Sequence, residues 1–178
     1  FPDAARQITA RNIIWQYEHG FISTRHRMSQ HVSDRDKEIG YDEENSTVIK
    51  LSDDSTTCDS DAVQISGNTV TIIDEGTYIL SGTLTDGMVI VDAEDTDKVQ
   101  LVLDGVDITS AESAAIYVRE ADKVFIMTAS DSQNTLTNGG TYTAIDDNNI
   151  DAAIFSKSDL TLNGAGSLTI TAKAGHGV

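Results

Sequence analysis

Basic residues, aromatic rings and cysteine are all scarce in this sequence, and each scarcity excludes something. Twelve Lys and Arg stand against 29 Asp and Glu, a net charge of −17. A surface of that sign repels phosphate backbones and leaves no basic footprint for nucleic acid. It suits either plain solubility or the capture of hard cations such as Ca2+, which take carboxylate and carbonyl oxygen. Cys58 is the only cysteine, so no intramolecular disulfide forms and stability must come from packing or from ions. No run of 18 apolar residues occurs, which argues against a transmembrane helix, and residues 1–10 lack the basic start and apolar stretch of a secretory signal. The chain begins at Phe1 rather than Met. It is read as a fragment or processed form, so a missing signal peptide carries no information on export. Neither His176 nor Cys58 sits in a nucleophile-elbow motif, and no Gly-rich phosphate loop is present.

What the chain does have is 39% hydrophobic residues, enough for one sizeable core at this length. With aromatics at only 6% and Gly, Ser, Thr, Asp and small aliphatics abundant, the composition suits many short strands joined by tight turns. Charge divides the sequence. Residues 1–40 hold 6 basic and 5 acidic residues, residues 41–178 hold 6 and 24. The first stretch also carries the only Trp and three of the four histidines, and lacks β-type alternation. Ile8, Ile13, Ile14, Tyr17, Phe21 and Ile22 trace an imperfect apolar face, from which a helix is expected between about Asp3 and Phe21. His19, His26 and His31 are spaced by seven and five, which matches no compact helical metal site.

From about residue 68 onward, strand signals follow one another without a helix-length apolar pattern: 68–73, 76–80, 88–91, 99–103, 115–118, 124–127, 153–155, 160–162 and 167–170. Internal self-similarity is the decisive feature. The segments 98–108, 123–136 and 159–170 share a strand, turn, strand outline, and 114–118, 152–156 and 175–178 form a second series between or after them. Val99 and Val124 are 25 residues apart and Ile154 and Val178 are 24 apart. Val124 and Leu160 are 36 apart, an excess of about the length of the insertion at 137–151. A unit of two dozen residues cannot bury its own apolar face, so the copies must stack and share one interior. The expected fold is therefore all-β, a right-handed single-stranded parallel β-helix (a solenoid) over 41–178. Its C-terminus is expected to be truncated within a coil, and residues 1–40 are expected to be a separate segment, helical or disordered. A β-sandwich is the rival, but does not require the repeat.

The residues 76–84, 98–108 and 144–164 resemble a bacterial family of carbohydrate-binding parallel β-helix proteins, a likeness that extends over about 41–178. The resemblance implies a pectate-lyase-like fold, secretion or surface display, and calcium-assisted binding of acidic plant polysaccharide without lyase activity.

Candidate chemistry concentrates in the insertion. Asp146, Asp147, Asn148, Asn149 and Asp151 place five oxygen-bearing side chains in six positions, and calcium needs six to eight oxygens, partly from carbonyls and water. The expected calcium ligands are Asp146, Asp147, Asn149 and Asp151, with Glu120 and Asp122 brought near by stacking. The bland reading is an Asx-rich turn. The clusters at 42–44 and 92–97 read as solvated turns. Tyr142, a ring within the polar insertion, is the expected carbohydrate platform, and Lys157 the expected partner beside it; Tyr117 and Phe155 read as packing residues. A bound cation would turn the acidic surface attractive to a uronate-rich polysaccharide. Two alternatives stand beside non-catalytic binding. One is a calcium-dependent polysaccharide lyase with Lys157 as base, and the other a structural or adhesive surface solenoid.

Overall fold

The computed structural model describes residues 6–11, 15–17 and 34–178, and the chain over them is almost entirely β. One sheet has nine strands: β1 (Arg6–Arg11), β2 (Trp15–Tyr17), β3 (Thr47–Leu51), β6 (Gly76–Leu84), β8 (Lys98–Ser110), β10 (Lys123–Thr128), β11 (Gln133–Asn138), β13 (Asp159–Gly164) and β14 (Ser167–Ala172). The other has five, in the order β12 (Ile154–Ser156), β9 (Ile116–Glu120), β7 (Met88–Asp92), β5 (Thr69–Ile72) and β4 (Val63–Ser66). The helix α1 (Asp34–Lys37) is four residues long. No helix among the described residues is long and apolar enough to cross a membrane.

The repeat dictates who lies beside whom. Val99, Val124 and Leu160 are direct neighbours on β8, β10 and β13, all parallel, and a one-residue slip in that register would turn the inward side chains of a strand to the other face. The 13 residues of β8 pair with β10 through their first half and with β11 through their second. Inward side chains of both sheets form one core that includes Leu80, Leu101, Val124, Ile126 and Leu160 from the large sheet and Val70, Val89, Ile116 and Ile154 from the small one. Between copies the backbones approach closely. At Gly164, with φ of 125°, a Cβ would collide with Thr128 of the preceding copy, so only glycine fits.

Two expectations need correction. A single-stranded parallel β-helix would pair every strand in parallel with its copy. Instead the strands gather into two sheets, of nine and five, and three pairs run antiparallel: β1 with β14, β2 with β13 and β4 with β5. Self-similarity specifies neighbours within a sheet, but not how sheets close or which foreign strands join their edges. The helix expected from Asp3 to Phe21 is the second correction. Its described parts are the strands β1 and β2, laid against β14 and β13, since an open sheet edge offers unpaired N–H and C=O groups that a local helical pattern does not outcompete. The remainder of that expected helix, and His19, His26 and His31, lie outside the described residues. Residues 34–41 also touch the strands: Asn163 Nδ2 donates to the Glu38 carbonyl at 3.2 Å and Gln100 Nε2 to the Gly40 carbonyl at 3.2 Å.

Candidate carbohydrate-binding face

The insertion lies against the outer face of the five-stranded sheet. Strand β7 is buried at Met88, Val89, Ile90 and Val91 without alternation, as expected of a strand covered on both sides. Parallel register places Ile90 beside Tyr117 and Tyr117 beside Phe155. Met88, Ile90, Ala114, Tyr117 and Ile150 form a small apolar cluster of their own, with Tyr142 and Phe155 partly buried against it. Tyr117 is wholly buried. Its ring centroid is 5.8 Å from that of Phe155, the planes tilted by 57°, a favourable edge-biased arrangement.

A polar network is built on this row. Tyr117 Oη donates to Asp146 Oδ2 at 2.7 Å and accepts from Asn148 Nδ2 at 2.7 Å. Arg119 Nε donates to the same Asp146 oxygen at 3.0 Å, and its Nη1 donates to Asp92 Oδ2 at 2.8 Å. The guanidinium carbon stands 5.5 Å from the Tyr117 ring centroid. Asp146 Oδ1 accepts from the Asn148 backbone N–H at 2.8 Å, closing an Asx turn. Partial burial works against ionisation of Asp146, but the hydrogen bonds from Tyr117, Asn148 and Arg119 outweigh it and bring the carboxyl down to about 2. Tyr117 moves the other way: burial, and its bond to the Asp146 carboxylate, hold the phenol above its ordinary value. The side chains of Arg119, Asp92 and Asp146 keep 33%, 31% and 23% exposure, so the network is anchored inside and offers its outer atoms to solvent. The Phe155 ring is partly buried beside Tyr117, and the oriented guanidinium, carboxylate and amide groups can exchange hydrogen bonds with a sugar's hydroxyls.

Residues 66–178 match the family model described as carbohydrate-binding domain-containing protein. The chain belongs to that family. A carbohydrate-binding domain-containing protein of Acetivibrio thermocellus is 38% identical over 133 residues, covering 73% of this chain and 46% of that protein. The solved structure of the polysaccharide lyase-like protein from C. thermocellum, a gadolinium derivative, superposes with a TM-score of 0.65 at 38% identity, over 68% of this chain and 50% of that one. The chain thus spans about half the length of the relatives it matches.

Within this carbohydrate-binding domain the residues singled out from the sequence are scattered. Only Asp146 joins the network. Asp147 and Asn149 are exposed on the insertion. Asp151 uses its carbonyl to accept from the His176 N–H at 2.8 Å. Glu120 and Asp122 are exposed at the turn between β9 and β10, and Asp122 pairs with Lys98 at 3.1 Å. Among the described residues, no group of three or more His, Cys, Asp or Glu side chains is arranged to hold a metal. The carboxylate of Asp146 is engaged by Tyr117, Arg119 and Asn148. Tyr142 is half-buried: its Oη donates to the Ala174 carbonyl at 2.9 Å, and burial together with the Asp151 charge pushes the phenol up to about 12. That ring holds the insertion to the C-terminal turn, where at Gly175, with φ of 64°, a Cβ would meet both Tyr142 and the Asp151 carbonyl. Lys157 is exposed, and its backbone N–H donates to the Val118 carbonyl at 3.0 Å, beside Arg119.

Tyr117, Arg119, Asp92, Asn148 and Phe155 are the members that sequence reasoning assigned elsewhere or passed over. A signal for them was present. Aligning 114–118 with 152–156 sets Tyr117 next to Phe155, the pairing observed. Asp92 and Arg119 are 27 residues apart, as are Arg119 and Asp146, close to one length of the repeat.

Proposed function

We propose that this domain binds polysaccharide without cleaving it, on the outer face of the five-stranded sheet where the insertion, Arg119, Lys157 and the partly buried Phe155 ring lie. The observation that carries this is the Asp92–Arg119–Asp146–Tyr117 network. It fixes planar polar groups beside an aromatic edge before any ligand arrives, and preorganised groups lose little freedom on binding. Family membership supports the ligand class. A polymeric glycan is met outside the cell, which supports reading the chain as secreted or surface-displayed.

Calcium assistance, expected from the resemblance, gains no support from the six residues named for it, and no binding step is assigned to an ion. The alternative of a polysaccharide lyase rests on likeness to a protein described as polysaccharide lyase-like, with Lys157 as the base. Two measurements test the reading. In affinity electrophoresis through gels containing single glycans, the wild-type chain is expected to be retarded by at least one polymer, and Arg119→Ala and Phe155→Ala to lose about tenfold or more in affinity. Binding unaffected by both substitutions would refute this face as the site. In an ultraviolet assay for unsaturated uronate products, no product is expected; steady product formation abolished by Lys157→Ala would establish the lyase instead.

A further inference from the structure

We infer that the outer face of the nine-stranded sheet is a peptide-binding site, filled here by residues 38–41 of the same chain and open to the same residues of a second copy. On that face Thr77, Gln100, Phe125 and Thr161 are register neighbours on β6, β8, β10 and β13, and Ile79, Val102, Met127 and Asn163 form another such row. Their sequence neighbours Leu101, Val124, Ile126 and Leu160 belong to the core, so these side chains point outward. Gln100 and Asn163 are nevertheless buried. A buried amide without a partner is costly, and each finds one on the covering segment: Asn163 Nδ2 donates to the Glu38 carbonyl and Gln100 Nε2 to the Gly40 carbonyl, both at 3.2 Å.

The two bonded carbonyls belong to residues two apart, which lie on one side of an extended chain, and Ile39 between them turns to solvent, at 55% exposure. The amides therefore read main chain rather than a side chain. Side-chain selectivity comes at the next residue, where Tyr41 packs on Ile79, Val102, Met127 and Ala129. The ligand that fits is an extended peptide with a large aromatic at that position. Residues 38–40 stay exposed while bonded, so little buried area holds them down and their local opening costs little. A second copy's segment is drawn to the same place. Residues 1–40 sum to a charge of +1 and residues 41–178 to −18, and that complementarity acts between copies as it does within one.

The experiment titrates a fluorescein-labelled peptide of residues 34–43 with the intact chain and reads its anisotropy. In the wild type the chain's own segment competes, so the Tyr41→Ala chain, whose segment has lost its anchor while the sheet is unchanged, is expected to bind the peptide about tenfold or more tighter. On either chain an Ile39→Ser peptide is expected to bind as well as the unaltered one, and a Tyr41→Ala peptide about tenfold or more weaker; these variants leave the folding of the protein out of the measurement. Light scattering of the wild-type chain is expected to show a dimer that grows with concentration and is dissolved by excess peptide. No peptide binding to either chain, or an equal loss from both peptide variants, would overturn the site. A monomer at every concentration would overturn the second copy as its occupant.

Discussion

The two sheets of this domain carry similar ingredients on their outer faces and put them to different ends. On the nine-stranded sheet, Phe125 is buried to 5% exposure beneath Arg35 and Lys123, whose charged groups stand 5.3 Å and 5.2 Å from the ring centroid. Residues 38–41 are laid across that face, held by Gln100 and Asn163 through the Gly40 and Glu38 carbonyls, and Tyr41 packs on Ile79, Val102, Met127 and Ala129. On the five-stranded sheet the covering segment is the insertion, the cation near the ring is Arg119, and the attachments are backbone bonds, from the Gly139 and Thr143 N–H groups to the Ser110 and Glu112 carbonyls, together with side-chain bonds converging on Asp146. On the first face the side-chain bonds end on backbone carbonyls of the covering segment. On the second they join side chains to one another, and Arg119, Asp92 and Asp146 stay partly exposed. A ring with a nearby cation therefore does not by itself mark a binding site; what decides is whether its covering segment consumes the polar groups or orients them.

Substitutions that break the comparison come first. Tyr117→Ala and Phe125→Ala each remove a buried ring and are expected to cost about 3–5 kcal/mol in urea denaturation. Only the first is expected to weaken glycan retention among the folded fraction. Equal loss of retention in both would mean the faces are not functionally distinct. Tyr117→Phe keeps the ring but deprives Asp146 of one of its three donors, and about 1–2 kcal/mol of destabilisation is expected.

Acid titration sharpens the role of Asp146. Its carboxyl is lowered from an ordinary 3.8 to about 2 in the folded chain, so the stabilisation it brings is complete only above about pH 5 and is lost as pH falls through about 2. The melting temperature of Asp146→Asn, already reduced at neutral pH, is expected to fall less steeply than that of the wild type over this window. Parallel curves would show that Asp146 contributes no acid-sensitive stability.

Smaller effects test the covering segments. Tyr142→Phe removes the bond to the Ala174 carbonyl and is expected to cost about 1 kcal/mol with glycan retention unchanged; a marked loss of retention would restore Tyr142 as the sugar platform. Arg35→Ala removes an exposed cation from above Phe125, for an expected loss of about 0.5–1 kcal/mol in the same denaturation measurement.

Much of the strand map was legible in the sequence. The registers that join 98–103, 123–128 and 159–164 match the alignment of the repeated segments, since equivalent positions of stacked copies share one interior. The insertion was legible too, as an excess over that length. The antiparallel strands β1 and β2 were not, because their residues carry no strand alternation and acquire a partner only where β13 and β14 leave an edge. The candidate site was half legible: Asp146 stood out as one of a run of Asx residues, but the run suggested a cation and the fold supplied Tyr117 and Arg119 instead.

By itself, then, the sequence determined a β architecture over 41–178, the pairing of its repeated strands, the acidic surface and the segment that breaks the repeat, all of which depend on local pattern and composition. Only the tertiary structure decided that the strands divide into two sheets with antiparallel edges and that Asp92, Tyr117, Arg119 and Asp146 meet. Those groups come from three separate stretches of chain, each about one repeat from the next. Which of them face one another depends on the stacking of backbones a few ångströms apart, and no single stretch of sequence contains that distance.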